Sequence, residues 1–154
     1  MGKRIPKEGT LLRINLADGS DTFARVLGQS QMAFYDQRIQ HDEPINLSQV
    51  YESRILFVVT VMKSTLTSGR WKVVDHLPLE ADLLKPREYF IKDRMTGRYS
   101  VYQSSIGSVR DSTFAECENL EPAAVWEPEH VEDRLRDHFA GRQNRWVEQL
   151  KATL

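Results

Sequence analysis

The chain has 154 residues and a formal net charge of −1, a length that predicts one domain whose core can fold without disulfide bonds. Its single cysteine, Cys117, excludes an intramolecular disulfide and indicates a reducing compartment, so we expect a cytoplasmic protein. No apolar run approaches the roughly 20 residues of a membrane-spanning helix, and the N-terminus lacks the apolar segment of a signal peptide. We therefore expect no membrane association.

The N-terminal region predicts a meander of three short strands. Residues 10–16, "TLLRINL", alternate apolar and polar side chains, and Asp18-Gly19 follows as a tight-turn signal for a hairpin. The returning strand is predicted at 22–28. A third strand is predicted at 32–36, where the residue types favour a pleated, half-buried surface.

The middle of the chain adds strands after a long polar connection over 37–54. Residues 55–62, "ILFVVTVM", are mostly apolar and β-branched, which predicts a strand buried on both faces in the middle of the sheet. The stretch "WKVVDHL", which begins at Trp71, predicts another strand. Residues 88–93 and 98–104 flank a turn sequence and predict a second hairpin.

Helices are predicted in the C-terminal part of the chain. Thr113 and Glu116 have the spacing of a capping box for a short helix. Pro128 suits the first turn of the next helix, and Asn144 is a good N-cap for a last one.

Together these elements predict an α+β single domain over residues 1–154. Residues 9–104 are expected to be mostly β, as a highly bent antiparallel sheet or small β-barrel. Residues 113–152 are expected to be mostly helical and to cover the sheet with two or three helices.

Acidic residues are concentrated near the C-terminus. Residues 116–137 carry eight Asp or Glu against two Arg, whereas residues 1–115 carry 13 Asp or Glu against 16 Lys or Arg. Such asymmetry can mark a surface that attracts a basic partner, and a solvated helix face is the plain alternative.

The acidic segment 126–139, "WEPEHVEDRLRDHF", contains two histidines and so raises the question of a metal site. His130 and His138 are eight residues apart, which separates them by about 12 Å along a helix and rotates them by about 80°. Two histidines that share one metal on a helix are four residues apart, and that position after His130 is Arg134. We therefore expect no metal and no other cofactor here.

The same helix has an apolar stripe and a polar surface. Val131, Leu135 and Phe139 form a narrow stripe that is expected to dock on the sheet. Glu132 and Arg136 have the spacing of a favourable ion pair along one helix.

Three acidic residues of this helix, Glu129, Asp133 and Asp137, place like charges on neighbouring turns, which costs the isolated helix some stability. A benefit outside the helix would offset that cost, and a basic protein partner would supply one. The predicted partner-binding residues are Glu129, Glu132, Asp133, Arg134 and Asp137.

The common catalytic signatures are missing from the sequence. It has no G-x-S-x-G elbow, Walker loop, dinucleotide-binding glycine motif or C-x-x-C pair. Cys117 lies between two glutamates, which disfavour its thiolate, and is expected to be an inert buried thiol. His41 and His76 are isolated in the sequence. We therefore assign no catalytic residue.

A nucleic-acid-binding module is the second alternative, since small barrels bind single strands through aromatic residues in a basic groove. Residues 1–115 have a charge excess of only three positive groups, from the counts above. The aromatic residues have spacings expected of a core. Nucleic acid is therefore not the expected partner.

Several stretches together resemble immunity protein family 26 of bacterial polymorphic toxin systems, a family name that also includes HocA-type phosphotriesterase. These are "GTLLRINLADGSDTFARVLG", "MAFYD", "ILFVVTVMKSTLTSGRWKVVDHLPL", "EYFIKD" and "CENLEPAAVWEPEHVEDRLRDHF", so the resemblance covers nearly the whole chain. The family-motif residues with an expected structural role are Gly19, Trp71, Trp126, His130 and Val131.

This resemblance implies a cytoplasmic protein that binds a cognate toxin domain and neutralises it by stoichiometric protein–protein interaction. The HocA-type name supplies an enzyme alternative, a metal-dependent hydrolase of organophosphate triesters. Such a hydrolase would need a metal-activated hydroxide, for example from His41 or His76 meeting His130 and Asp133 in the fold.

Overall fold

A computed structural model describes residues 4–104 and 107–154, which form two compact units. The first contains the described residues up to Leu84 together with Val125–Arg142, and the second contains Lys85–Ala124 and Gln143–Leu154. Both strands and helices are present, so the predicted α+β class is confirmed. The single-domain assignment stays a prediction.

The described residues form short strands and helices, and the longest of these helices has 12 residues. The strands are β1 (Thr10–Asn15), β2 (Ser20–Gly28), β3 (Gln31–Gln40), β4 (Ile55–Val61), β5 (Lys72–His76), β6 (Glu88–Lys92), β7 (Tyr99–Gln103), β8 (Ser108–Ser112), β9 (Glu121–Pro122) and β10 (Val125–Trp126). The helices are α1 (Leu47–Glu52), α2 (Lys63–Thr67), α3 (Ala81–Leu84), α4 (Phe114–Cys117), α5 (Pro128–Phe139) and α6 (Arg145–Leu150).

The first unit is built on a six-stranded sheet in the order β10-β4-β3-β2-β1-β5. The predicted hairpin joins β1 and β2, and Gly19 at its turn has a φ of +86°, which glycine adopts without strain. Leu16 donates its backbone N–H to the Ser20 carbonyl across this turn, at 3.0 Å. The three-strand meander is thus confirmed, with β3 longer than predicted.

Strand β4 is buried on both faces, but it lies near an edge of the sheet rather than in the middle. Phe57 and Val58 point to opposite faces, and each side chain is less than a tenth exposed. Val58 packs with Leu83 of α3, while the Arg134 guanidinium of α5 lies over the Phe57 ring. Flanking helices therefore explain the apolar run, so the prediction of a central strand was wrong.

The second unit has a four-stranded sheet in the order β8-β7-β6-β9. Strands β6 and β7 form the second predicted hairpin. Phe90, Tyr99, Val101 and Cys117 form its buried cluster. Strand β8 was not predicted because its residues are mostly exposed and polar. Within the described residues the sheets are not closed into a barrel, which corrects the single bent sheet or barrel expected from the sequence.

The C-terminal helices begin where capping predicts. The Thr113 hydroxyl accepts a hydrogen bond from the Glu116 backbone N–H at 3.3 Å, and Asn144 caps α6 in the same way. Helix α5 belongs to the first unit, and α4 and α6 belong to the second. In the part of the chain that the structure describes, no helix has the length and apolarity to cross a membrane.

Candidate protein-binding surface

Helix α5 docks through the apolar stripe that its sequence predicts. Val131 and Leu135 are fully buried, and Trp126, just before the helix, is 3% exposed. Pro128 is in the first turn, where its missing N–H costs no helical hydrogen bond. Trp126 and Val131 are thus buried residues, and the family-motif role expected for them stays a prediction.

Glu132 is an internal anchor rather than a surface residue, since it is only 7% exposed. Its carboxylate accepts hydrogen bonds from Arg70 Nε at 2.9 Å, Arg70 Nη2 at 2.8 Å and Trp71 Nε1 at 2.9 Å. The hydrogen bond to Glu132 raises the pKa of Arg70. These contacts replace the predicted pair with Arg136. Because Glu132 is buried by them, we do not include it in the contact surface proposed below.

The burial of Trp71 gives this anchor a hydrophobic base. Trp71 is 2% exposed, and its ring meets Phe34 edge-on with the ring centroids 5.7 Å apart. Without Glu132, the buried indole N–H of Trp71 would lose the acceptor of its hydrogen bond. Trp71 therefore contacts α5 through a charge-assisted hydrogen bond to Glu132.

The other three carboxylates on α5 each pair with an arginine of the chain. Glu129 meets Arg70 at 3.3 Å, Asp137 meets Arg142 at 3.2 Å, and Asp133 contacts Arg136. The Glu129 and Asp133 side chains are 59% and 43% exposed, but Asp137 is 22% exposed. These arginines offset the like-charge repulsion for which the sequence suggested an external partner.

The four histidines have separate partners. His130 Nε2 lies 3.5 Å from Glu127, and His41 Nδ1 lies 2.9 Å from Asp21 Oδ1. His76 meets a backbone carbonyl and His138 meets Asp36. Among residues 4–104 and 107–154, no group of three or more His, Cys, Asp or Glu side chains is placed to hold a metal ion. The distributed site proposed around His130 and Asp133 is therefore not assembled.

A basic cleft between β4 and α5 was missed by sequence reasoning. It has a volume of about 250 Å³ and is lined by Arg54, Ile55, Leu56, Phe57, Arg134 and His138. Asp36 Oδ2 accepts from Arg54 Nε at 2.9 Å, and Asp36 Oδ1 lies 3.0 Å from His138 Nε2. Burial alone would raise the pKa of Asp36, but these two hydrogen bonds hold it below its usual value.

Arg134 is fixed in this cleft by aromatic rings. Its Cζ lies 3.6 Å from the centroid of the Phe57 ring and 5.1 Å from that of Trp126. Stacking engages the face of a guanidinium and leaves its donor groups directed along the edge. The sequence gives no signal for this arrangement, because Phe57 and Arg134 are far apart in the chain.

A second arginine, Arg25 on β2, is fully buried beside another cleft. Arg25 Nε donates to the Gly9 carbonyl at 2.9 Å, Nη2 donates to the Leu77 carbonyl at 2.5 Å, and Nη1 donates to the Tyr35 hydroxyl at 2.8 Å. The Glu80 carboxylate lies 3.3 Å away. A buried guanidinium needs such compensation. An arginine in a strand that alternates apolar and polar residues is expected to face solvent. The sequence therefore did not predict the hydrogen-bond network of Arg25.

The cleft beside Arg25 has a volume of about 280 Å³ and combines tyrosines with carboxylates. Tyr51 donates its hydroxyl proton to Asp75 Oδ2 at 2.6 Å, and the Arg25 guanidinium lies over its ring. Burial and then this hydrogen bond raise the pKa of Tyr51. The lining residues are Tyr35, Tyr51, Ser53, Arg54, Ile55, Glu80, Asp82 and Leu83.

Comparison with protein-family sequence models shows the family to which the chain belongs. A sequence model described as Immunity protein 26 matches residues 7–101. The chain belongs to the Immunity protein 26 family. A search of curated proteins and a search of solved structures each found no match.

The Immunity protein 26 model matches fewer residues than the resemblance noted in the sequence, which covered nearly the whole chain. It includes Gly19, Trp71 and both arginines Arg25 and Arg54, but it ends before α5. The β framework and the Arg25 network thus lie in the family segment. The motif residues Trp126, His130 and Val131 lie outside it, as does the whole of the acidic helix α5.

Proposed function

We propose that the chain is an immunity protein that binds a cognate toxin domain of a bacterial polymorphic toxin system and neutralises it stoichiometrically. Membership of the Immunity protein 26 family, through residues 7–101, is the observation that carries this proposal. We expect the complex to form in the cytoplasm. Occlusion of the toxin by direct contact requires no catalytic residue in the inhibitor.

We further propose that the solvent-facing side of α5 belongs to the contact surface. Glu129 and Asp133 are its most exposed carboxylates, and Asp137 and Arg134 continue the same surface. Complementary charges accelerate association and select partners. Because each carboxylate has an arginine neighbour, we expect a smaller electrostatic attraction than eight acidic residues in the segment would suggest.

Neutralisation is tested with the toxin domain encoded next to the gene for this chain. We expect co-expression to restore growth of cells that carry the toxin, and the purified proteins to form a complex of fixed stoichiometry by light scattering. Growth arrest despite folded chain, or two proteins that elute separately, would refute the proposed function.

The contact surface is tested by reversing charge on α5. Glu129→Lys, Asp133→Lys and Asp137→Lys together should weaken toxin binding at least about tenfold and reduce its salt dependence, because favourable pairs become repulsive. The matched control reverses three exposed carboxylates of the second unit, Asp111, Glu118 and Glu148. Equal affinity of both triple variants would exclude the acidic face of α5 from the interface while leaving neutralisation intact.

A further inference from the structure

The basic cleft between β4 and α5 has the chemistry of an anion-binding contact. Its ionisable lining residues, Arg54, Arg134 and His138, are all bases. Arg54 lies immediately before β4, and Arg134 and His138 lie on successive turns of α5. The fold thus brings Arg54 beside two basic groups that are distant from it in sequence.

These groups are held in place before any partner arrives. Asp36 accepts from Arg54 Nε at 2.9 Å and meets His138 Nε2 at 3.0 Å, so one carboxylate positions two basic side chains. Phe57 holds Arg134 through a stacking distance of 3.6 Å. A side chain that is already ordered loses less conformational entropy on binding, which favours affinity.

Asp36 orients Arg54 without enclosing it. The Arg54 side chain is 73% exposed, so a partner can reach it. A guanidinium pairs well with a carboxylate or a phosphate, because its edge donors match two oxygens at once.

The rest of the lining favours a carboxylate on a hydrocarbon stem. Ile55, Leu56 and Phe57 form the apolar part of the cleft, and they can pack against methylene groups that a free phosphate lacks. We propose that this cleft binds a glutamate or aspartate side chain of the toxin partner, with Arg54 and Arg134 donating to its carboxylate. The identity of the partner rests on the function proposed above.

This contact would complement the acidic surface of α5. A partner that fits both would place a basic patch against Glu129 and Asp133 and an acidic side chain in the cleft. Opposite charges at neighbouring points fix the orientation of a complex and exclude partners that carry charge of one sign only.

The cleft is tested on the full chain without any toxin. The probe is the peptide acetyl-Gly-Glu-Glu-Gly-amide, titrated to about 50 mM to reach the weak affinity of a small ligand, while NMR follows the arginine Nε–Hε signals. The matched peptide has Gln in place of each Glu. We expect saturable shifts of Arg54 and Arg134 with the Glu peptide and none with the Gln peptide.

Variants assign the binding to the cleft. Arg54→Gln should weaken binding of the Glu peptide about tenfold, as expected for loss of a charge-assisted hydrogen bond. Arg134→Lys keeps the charge and loses the planar donor edge, so it should weaken binding as well. Arg94→Gln removes the same charge from an exposed turn of the second unit and should leave binding unchanged. Unfolding in urea verifies that each variant is folded.

Three results of the peptide titrations would overturn the proposal. They are no saturable shift with the Glu peptide, equal binding of the Gln peptide, and equal weakening by Arg94→Gln. Inorganic phosphate and a short single-stranded oligonucleotide are titrated in parallel. Tighter binding of either than of the Glu peptide would make the cleft a phosphate site, and carboxylate recognition would be rejected.

The outcome is independent of neutralisation. A positive peptide titration with a chain that fails to protect cells would reject the proposed function and keep the carboxylate site. Protection without peptide binding would reject the site alone. If both hold, Arg54→Gln should also weaken the toxin complex, which links the cleft to the interface.

Discussion

Two arginine sites in the first unit use the same side chain for different purposes. Arg25 is fully buried, and its donors are used by Gly9, Leu77 and the Tyr35 hydroxyl. Arg54 is 73% exposed, and Asp36 orients it without enclosing it. An enclosed guanidinium joins segments of the fold, whereas an oriented, exposed one can contact a partner. Burial, rather than residue type, distinguishes the two roles.

The sharpest test of this contrast is removal of Arg25. We expect Arg25→Met to lower the free energy of unfolding by about 3–5 kcal/mol, because it removes the buried hydrogen bonds to the Gly9 carbonyl and the Tyr35 hydroxyl and the one to the Leu77 carbonyl. Urea unfolding with an unchanged m-value would measure this loss. Glu80→Gln is the control and should cost less, since the Glu80 side chain is 49% exposed. A wild-type stability for Arg25→Met would show that the network is not structural.

The same contrast within α5 separates Glu132 from Glu129. Glu132→Ala leaves the Trp71 indole N–H and the Arg70 guanidinium without their acceptor, so we expect a loss of about 3 kcal/mol in the free energy of unfolding. Glu129→Gln removes an exposed pair and should change it by about 0.5 kcal/mol at most. Thermal and urea unfolding would measure both. Equal effects would mean that burial does not distinguish these carboxylates.

The smallest expected effect concerns Asp36 and pH. Its folded pKa is lowered because hydrogen bonds from Arg54 and His138 outweigh the opposing effect of burial. The stabilisation is therefore present above the unfolded pKa of about 3.9 and is lost as pH falls through the folded pKa. Arg54→Gln should raise the Asp36 pKa, measured by carboxyl-carbon NMR. Arg94→Gln should not, and a fall or no change in Arg54→Gln would contradict the assignment.

Local signals in the sequence predicted most of the elements but not their partners. Gly19 marked the β1–β2 turn, and Thr113 and Asn144 marked helix starts, because a turn or a cap depends on a few adjacent residues. By contrast Glu132 was assigned to the surface since its partner, Arg70, lies 62 positions away. Strand β4 was placed centrally because an apolar run reports burial without saying whether strands or helices provide it.

In the candidate site, too, contacts between residues distant in sequence could not be predicted. The sequence identified the acidic residues of α5 and the burial of Val131 and Leu135, which follow from helical periodicity. It could not identify the cleft, because Arg54 and Arg134 meet only after β4 and α5 pack. The compensation of Glu129 by Arg70 also depends on that packing.

Arg54 has one further consequence, because it lines both the basic cleft and the neighbouring cleft that contains Tyr35 and Tyr51. One guanidinium can take only one position at a time. A ligand that draws it into the basic cleft therefore changes the wall of the other, and a ligand in the other changes the basic cleft by the same free energy. If a ligand in one cleft displaces this guanidinium, occupancy of the two clefts is linked through a single side chain.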